Sequence, residues 1–351
     1  MMRYINFTFL LFLLVSFSCY AQKAYVVSTL AGSGEAGSKN GVGANATFKY
    51  PQGIAVDKKF NVFIADYGNG LIRKISPDGI VSTVAGKERG GREGSIDGPA
   101  LQALFYGPNK LTFDNEDNLI ICDLQKIRKL DKEGKVTTIA GTGRMGNLHD
   151  GPGLTATFWN ATGLAVDKQN NIYVADYGHQ LIRKIDKDGM VSTFAAEPGA
   201  KVNFYSEKKP PHFDFPAGVA VDSKGNVFVS ESYDNKILKI TVNGIMTTFA
   251  GNGRKDSTNG YGVSAGFNAP QGLAFDLNDN LYVADLGNNQ IRMISPDGLV
   301  CLLAGSGERG SRDGEAKNAT FYRPDAIAVD SNGNIYIAEL ENNKIRKIKI
   351  L

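Results

Sequence analysis

Six carboxylates recur at matching places along the chain, and their spacing raises the question of a metal-binding or acid–base ring. Each closes a short apolar run, and the set is Asp66, Asp123, Asp176, Glu231, Asp285 and Glu339. An arginine follows seven residues after four of them, at Arg73, Arg183, Arg292 and Arg346. Two units depart from this spacing, since Arg128 comes five residues after Asp123 and Leu238 takes the arginine's place after Glu231. We interpret the carboxylates as partners in a repeated ion pair or hydrogen bond that braces a loop.

Histidine is the second residue type that could do chemistry. His149, His179 and His212 all fall in predicted loops on one side of the molecule, and three histidines are a possible zinc set. His179, however, takes the place that Asn69 and Asn288 have in other units. We therefore predict no metal site and keep these histidines as candidates only for an enzymatic alternative.

The strongest candidates for ligand binding precede the first strand of each unit. The frame of these segments is constant while the side chains differ, which is typical of a site built on a repeated scaffold. They mix aromatic, amide and charged groups, a combination that suits a sugar, a peptide or a protein surface. The predicted ligand-binding residues are Lys49, Tyr50, Gln52, Tyr106, Asn109, Trp159, Asn160, Asp214, Gln271, Tyr322, Arg323 and Asp325. We expect them to ring the mouth of a central channel.

The elements that position these residues repeat about every 54 residues, which favours a solenoid or a propeller. Each unit contains four short β-type runs separated by turn residues, as in the Ser-Pro-Asp-Gly turn at residues 76–79. The Asp and Asn pair that opens each unit, as at Asp57 and Asn61, is interpreted as a turn cap. Six such units predict an all-β, six-bladed β-propeller of four-stranded antiparallel blades.

Closure of the ring is also predicted by the sequence. The last unit ends after its third strand at residues 344–350, while residues 26–32 nearly copy the fourth strand at residues 80–86. We expect the N-terminal strand to pair in the last blade, which removes an exposed sheet edge.

The repeat resembles the NHL repeat of β-propellers. The resemblance is carried by IADYGN at residues 64–69 with IRKI at 72–75, and by the related stretches 174–185, 283–294 and 337–348. It covers nearly all of the chain after its leader and implies the propeller fold. The family includes adhesion modules, receptor sensor domains, RNA-binding domains and a histidine-zinc lyase, with six-bladed lactonases of the SMP-30/gluconolactonase type related to it. The resemblance therefore implies a fold without choosing an activity.

Residues 1–21 are predicted to be a secretory signal peptide, with cleavage after Ala21 and the propeller at residues 22–351. The apolar core at residues 7–17 is shorter than the about 20 residues that a membrane-spanning helix needs. Cys19 leaves open a lipid anchor, which we favour less than soluble export because Ser16 replaces the leucine of such a motif. The predicted location is secreted, periplasmic or cell-envelope. A formal charge of +3 gives no drive toward nucleic acid.

These observations favour an exported, monomeric, non-enzymatic scaffold that binds a protein, peptide or glycan through its loop-rich face and needs no cofactor. The alternative is a metal-dependent lactonase, hydrolase or lyase at the channel mouth, for which calcium or zinc would be the cofactor. The sequence leaves both open. The irregular connection at residues 197–215 is where we expect a specialised contact, because it lost the turn residues of its counterparts.

Overall fold

The computed structural model describes residues 24–88, 94–194 and 213–351. The predicted signal peptide, His212 and all but the end of the 197–215 connection lie outside the described residues. Within those three ranges, no helix is long and apolar enough to cross a membrane. The regular structure there is strand, with short 3-10 helices at Gly43–Asn45, Tyr67–Asn69, Gly153–Thr155, Gly262–Ser264 and Leu286–Asn288.

The strands form six antiparallel sheets, the blades, and a strand from the N-terminal end of the chain, β1 (Tyr25–Ala31), belongs to the last of them. Blade 1 consists of β2 (Gly41–Val42), β3 (Pro51–Val56), β4 (Val62–Asp66), β5 (Leu71–Ile75) and β6 (Ile80–Ala85). Blade 2 consists of β7 (Gly98–Pro99), β8 (Pro108–Phe113), β9 (Leu119–Asp123), β10 (Lys126–Leu130) and β11 (Lys135–Ala140). Blade 3 consists of β12 (Gly151–Pro152), β13 (Ala161–Val166), β14 (Ile172–Asp176), β15 (Leu181–Ile185) and β16 (Met190–Thr193).

The second half of the chain repeats the plan. Blade 4 consists of β17 (Pro216–Val221), β18 (Val227–Glu231), β19 (Lys236–Ile240) and β20 (Met246–Ala250). Blade 5 consists of β21 (Gly260–Tyr261), β22 (Pro270–Phe275), β23 (Leu281–Asp285), β24 (Gln290–Ile294) and β25 (Leu299–Ala304). Blade 6 consists of β26 (Gly314–Glu315), β27 (Pro324–Val329), β28 (Ile335–Glu339), β29 (Lys344–Ile350) and β1. The six-bladed propeller predicted from the repeat is confirmed.

Five of the blades have a fifth strand that the sequence analysis did not predict. It has only two residues, and it comes from the connection that enters the blade, which runs along the outer strand before reaching the inner one. In blade 1, Gly41 lies opposite Val81 and Val42 opposite Ile80. These short pairings cover the backbone groups at the outer edge, which an uncovered edge would leave exposed. Among the described residues, blade 4 has four strands.

The recurring aspartate and asparagine residues close the turn between the first two strands of each blade. Asp57 Oδ1 accepts hydrogen bonds from the backbone N–H groups of Lys59 and Asn61, both 2.8 Å long. Asn61 Nδ2 donates to the other carboxylate oxygen at 2.8 Å. The same side-chain pair occurs at Asp114 and Asn118, Asp167 and Asn171, Asp222 and Asn226, Asp276 and Asn280, and Asp330 and Asn334. The prediction of turn caps is confirmed.

The blades form a closed ring around the inner strands, each of which packs beside the inner strand of the next blade. Glycine allows this close approach. A Cβ atom at Gly218 would lie 2.2 Å from the backbone oxygen of Gln271, and one at Gly163 would lie 2.5 Å from that of Ala217. Neither position can hold a larger residue unless the neighbouring strand moves.

The two ends of the described chain meet in blade 6. β1 lies antiparallel to β29, with Val26 opposite Lys349 and Val27 opposite Ile348. Val27 is buried and packs with Ile337 and Ile348 in the core between blades 5 and 6. β1 therefore gives this blade the outer strand that the others obtain from their own unit.

Antiparallel order gives the ring two different faces. The loop face carries the segments that enter the inner strands, such as residues 49–52, and the connections after the second strands, such as residues 67–70. The turn face carries the tight turns, such as residues 57–60 and 76–79. All of the ligand-binding residues predicted from the sequence belong to the loop face.

Candidate functional site

Under the loop face, five blades carry a buried arginine that binds the carboxylate at the end of the second strand. Arg73 is 0% exposed, and its Nη1 donates to Asp66 Oδ2 at 2.9 Å. Its guanidinium also donates to the backbone oxygens of Lys39 and Thr47 in the entering connection and lies over the Phe48 ring. The equivalent pairs are Arg128 with Asp123, Arg183 with Asp176, Arg292 with Asp285 and Arg346 with Glu339. The predicted loop-bracing ion pair is confirmed, so the carboxylates of these five blades have a structural role.

The same carboxylates also fix the backbone around the channel mouth. Asp66 Oδ1 accepts the backbone N–H of Lys49 at 2.8 Å, and Asp176 Oδ1 accepts that of Trp159 at 2.8 Å. The residue that follows has a positive φ, at 50° for Tyr50 and 65° for Asn160. Such angles are rare for residues other than glycine and persist only where the surroundings enforce them. The rim is therefore held rigid from below before any ligand arrives.

Asparagines of neighbouring blades complete this support. Asn343 Oδ1 of blade 6 accepts the backbone N–H of Tyr50 at 2.9 Å, and Asn289 Oδ1 of blade 5 accepts that of Arg323 at 3.1 Å. The rim segments of blades 1 and 6 are thus tied both to their own blade and to the preceding one. A backbone fixed in this way has little conformational entropy left to lose when the rim side chains contact another molecule.

The predicted rim residues divide into an exposed set and an inward set. Tyr50, Tyr106 and Trp159 are 44%, 37% and 47% exposed, and Lys49 and Arg323 are also exposed. Gln52, Asn160, Asp214, Gln271 and Tyr322 are partly buried. Asn109 and Asp325 are buried, at 4% and 8%. The exposed side chains can contact another molecule, while the buried Asn109 and Asp325 bind groups of other blades beside the channel.

A lysine that the sequence analysis did not single out closes the channel mouth. Lys110 of blade 2 makes an ion pair with Asp325 of blade 6, and it donates to the backbone oxygen of Gln52 in blade 1 at 2.7 Å. Asn109 Nδ2 donates to the backbone oxygen of Ala161 in blade 3 at 2.7 Å. The signal was present in the repeat, because other blades have a glycine at the place of Lys110, as at Gly53 and Gly163. The inward residues therefore link blade 2 to blades 1, 3 and 6 around the channel mouth.

An aromatic row crosses the loop face on blades 3 and 4. The Trp159 ring lies 5.9 Å from the His179 ring, and it covers Gly178, where a Cβ atom would be 2.4 Å from the indole. The Phe215 ring lies 4.9 Å from the Tyr177 ring and 5.9 Å from the Tyr233 ring. The sequence analysis missed Tyr177, Phe215 and Tyr233, although aromatic residues on adjoining loops of the same face were a usable signal.

The described histidines do not come together as a zinc site. His179 is 5% exposed, and its ring nitrogens contact Asp176 Oδ2 at 2.8 Å and the backbone oxygen of Gly146 at 3.0 Å. His149 is exposed, and His212 lies outside the described residues. Over residues 24–88, 94–194 and 213–351, no group of three or more His, Cys, Asp and Glu side chains is placed to hold a metal ion. His179 takes the structural role of an asparagine in its unit.

A cleft of about 730 Å³ lies on the turn face between blades 3, 4 and 5, where no site was predicted. Its apolar lining includes Tyr173, Phe194 and Leu277. The turns at its border bind one another, since Lys168 Nζ donates to the backbone oxygen of Ser223 at 2.7 Å and Ser223 Oγ donates to Asp279 at 2.6 Å. These contacts join three blades and involve two of the charged groups that line the cleft, Lys168 and Asp279.

Blade 4 departs from the frame of the others. Its carboxylate, Glu231, is 4% exposed, but the arginine position is occupied by Leu238. Asp234 stands where other blades place an amide or His179. Within the described residues, Glu231 receives one hydrogen bond, from the backbone N–H of Asp214 at 3.0 Å. A buried carboxylate without a cation is costly, so this departure calls for an explanation.

Replacing Glu231 by glutamine is expected to stabilise the protein above neutral pH. Burial is the main cause that raises the pKa of Glu231 to about 7, and the charges of the nearby Asp234 and Asp214 contribute to the same rise. Because an unfolded glutamate titrates near about 4.3, the folded state binds the proton more tightly, and stability falls as the pH rises from about 4.5 to about 7. Glutamine keeps the acceptor for Asp214 and carries no charge. We expect a gain of about 1–3 kcal/mol at pH 8 that vanishes near pH 4.

Denaturant unfolding of both proteins at pH 4 and pH 8 measures this gain. The exposed Glu35, replaced by glutamine, is the matched control and should show no such pH-dependent gain. A Glu231→Gln protein no more stable than wild type at pH 8 would contradict the prediction.

Comparison with known proteins adds three findings. The NHL repeat family model matches residues 158–185, 213–240 and 321–348. NHL repeat-containing protein 2 of Bos taurus is 28% identical over 342 residues, which cover 86% of this chain and 46% of that protein. The chain spans less than half the length of this protein and of other curated relatives that it matches.

Solved structures share the fold at low identity. An auxiliary nutrient binding protein from Bacteroides thetaiotaomicron has a TM-score of 0.70 at 18% identity, covering 93% of this chain and 77% of that one. Virginiamycin B lyase from Staphylococcus aureus has a TM-score of 0.54 at 15% identity, covering 93% of this chain and all of that one, at 100%. At these identities the likeness shows the fold alone.

Proposed function

Because the chain belongs to the NHL-repeat six-bladed β-propellers, we propose that it is a non-enzymatic binding scaffold that recognises a protein, peptide or glycan through its loop face. The observation that carries this proposal is the rigid rim with exposed Tyr50, Tyr106, Trp159 and Arg323. Exposed aromatic and arginine side chains on a preorganised surface are the groups that contribute most to binding energy. The fold likeness to an auxiliary nutrient binding protein agrees with such a role.

Export is part of the proposal. Residues 1–21 would act as a cleaved signal peptide and deliver the protein to the envelope or the exterior, with soluble release favoured over a lipid anchor at Cys19. A propeller in that location meets extracellular polymers and proteins, which is consistent with a binding surface of aromatic and amide groups.

The enzymatic alternative would place a calcium or zinc ion at the channel mouth. Asp325 is the carboxylate best placed for it, but Lys110 already neutralises that group and lies close to the Gln52 carbonyl oxygen. A cation there would have to displace the lysine first. This is why we favour binding over catalysis.

Replacing Trp159, Tyr322 and Arg323 together by alanine tests the proposal. A glycan array and a displayed peptide library identify a bound probe, and calorimetry then measures its affinity. We expect the triple variant to lose at least about tenfold in affinity, since central aromatic and arginine anchors contribute about 2 kcal/mol or more each. The control replaces Tyr261, Leu277 and Lys187, which are exposed away from the rim.

Unchanged affinity in the triple variant would exclude the rim as the binding surface. Stoichiometric bound metal together with chelator-sensitive hydrolysis of a lactone would contradict the non-enzymatic proposal and support the alternative.

A further inference from the structure

Blade 4 lacks both donors that neutralise the carboxylate elsewhere. In blade 1, Asp66 Oδ2 receives Arg73 Nη1 at 2.9 Å and Asn69 Nδ2 at 2.8 Å. Blades 5 and 6 repeat both contacts, and blade 3 uses His179 in place of the asparagine. In blade 4 these two positions hold Leu238 and Asp234. Compared with the other blades, blade 4 therefore has no arginine beside its buried carboxylate and has an additional acid, Asp234, close to it.

The result is a concentration of negative charge around a buried group. Glu231 is 4% exposed and keeps only its bond from the Asp214 backbone within the described residues. Asp214 and Asp234 lie close enough to raise the pKa of Glu231. Lys236 binds Asp234 at 3.3 Å and is the nearby cation that partly offsets these acids. The surroundings of the Glu231 carboxylate therefore include two further carboxylates and one lysine.

Aromatic rings border the same place. Phe215 follows Asp214 directly, and its backbone oxygen accepts the N–H of Ser232, next to Glu231, at 3.4 Å. Its ring packs between those of Tyr177 and Tyr233, with centroids 4.9 Å and 5.9 Å away. Tyr233 is 69% exposed, so the group opens to solvent on the loop face. Aromatic faces beside carboxylates attract organic cations.

We propose that these residues form a blade 4 niche, defined by Asp214, Phe215, Glu231, Tyr233 and Asp234, that binds the guanidinium group of an arginine in a peptide or protein partner. The partner supplies the kind of cation that five other blades carry in their own sequence. This inference depends on the proposed function, because it names the partner class for part of the same face.

The chemistry of the niche favours a guanidinium over a metal ion. Five blades of this chain already hold a guanidinium between a carboxylate and an aromatic ring, as Arg183 lies between Asp176 and Phe158. A planar guanidinium can stack on a ring and bind a carboxylate at once. The described residues place no group of three or more metal-ligating side chains here.

Titration with N-acetyl-arginine amide tests the niche, with the neutral isostere N-acetyl-citrulline amide as the comparison probe. Binding is followed by calorimetry and by the fluorescence of Trp159, the one tryptophan of the chain, whose blade also carries Tyr177. We expect saturable binding of the arginine probe and at least tenfold weaker binding of the citrulline probe. Equal binding of the two probes, or no binding of either, would overturn the inference.

Two variants separate the niche from general attraction to acids. Leu238→Arg supplies an internal guanidinium and should abolish binding of the arginine probe. Asp234→Asn removes one acid, restores the amide of other blades, and should weaken binding at least fivefold; it keeps the test decisive if Leu238→Arg does not fold. Asp188→Asn changes an exposed acid on the turn face and should bind like wild type. Wild-type affinity in Asp234→Asn would overturn the inference.

Failure here can be told apart from failure of the proposed function. If the niche variants bind the array or library probe normally while the triple rim variant does not, the loop face remains the binding surface and only the arginine assignment is wrong. If both sets bind normally, the rim and the niche are both excluded as binding surfaces and the proposed function is wrong as well.

Discussion

Replacing Arg292 by methionine is expected to reduce the free energy of unfolding by about 3–5 kcal/mol, because it leaves a buried carboxylate without its cation. Arg292 and the Asp285 side chain are both 0% exposed, and they are 3.2 Å apart. The guanidinium also donates to the backbone oxygens of Gly266 and Thr258 and to Asn259 Oδ1. Methionine fills similar space but provides none of these donors.

Urea-induced unfolding followed by circular dichroism measures this loss. Arg254→Met in the connection entering the same blade is the control, because Arg254 is exposed and should change stability by less than about 0.5 kcal/mol. Similar midpoints for the two variants would mean that the buried pair contributes no more than a surface arginine.

A charge placed in the closing strand should have an effect of comparable size. Val27 is 1% exposed on β1 and packs between blades 5 and 6, so Val27→Asp buries an unpaired carboxylate where the ring closes. We expect a loss of about 4 kcal/mol or more. The adjacent Ser28 is exposed on the other side of β1, and Ser28→Asp should be nearly neutral.

Thermal unfolding of both variants measures this loss of stability. Size-exclusion chromatography detects any association of molecules through the freed edge of β29. If the Val27→Asp protein had the same Tm as the Ser28→Asp protein, the N-terminal strand would not be what stabilises the closure of the ring.

The fold was predictable because each repeat puts the same residue types in the same surroundings. Asp57 with Asn61, and Asp66 with Arg73, recur at fixed spacing, so their roles could be inferred by comparing units within one chain. The two-residue strands such as Gly41–Val42 were not predictable, since so short a segment has no periodicity. Their pairing depends on where the whole connection runs.

The candidate site was predictable only in part. Tyr50, Tyr106 and Trp159 are exposed on the loop face, as expected of binding residues. Asn109 and Asp325 are buried instead, because Asn109 binds the Ala161 backbone oxygen of the next blade and Asp325 binds Lys110, 215 residues away in the sequence. A contact between blades 2 and 6 depends on the closed geometry, and spacing within one unit carries no information about it.

The buried arginines have a consequence for how this surface can evolve. The buried arginines bind the connections that enter their blades largely through main-chain oxygens. Arg73, for example, donates to the oxygen of Thr47, and Arg183 and Arg346 donate to those of Thr157 and Thr320. Main-chain oxygens are present whatever the amino acid. Mutations in these segments can therefore change the side chains that the loop face presents while the five arginine-bearing blades keep their anchor, so the surface can diversify at little cost to the stability of the ring.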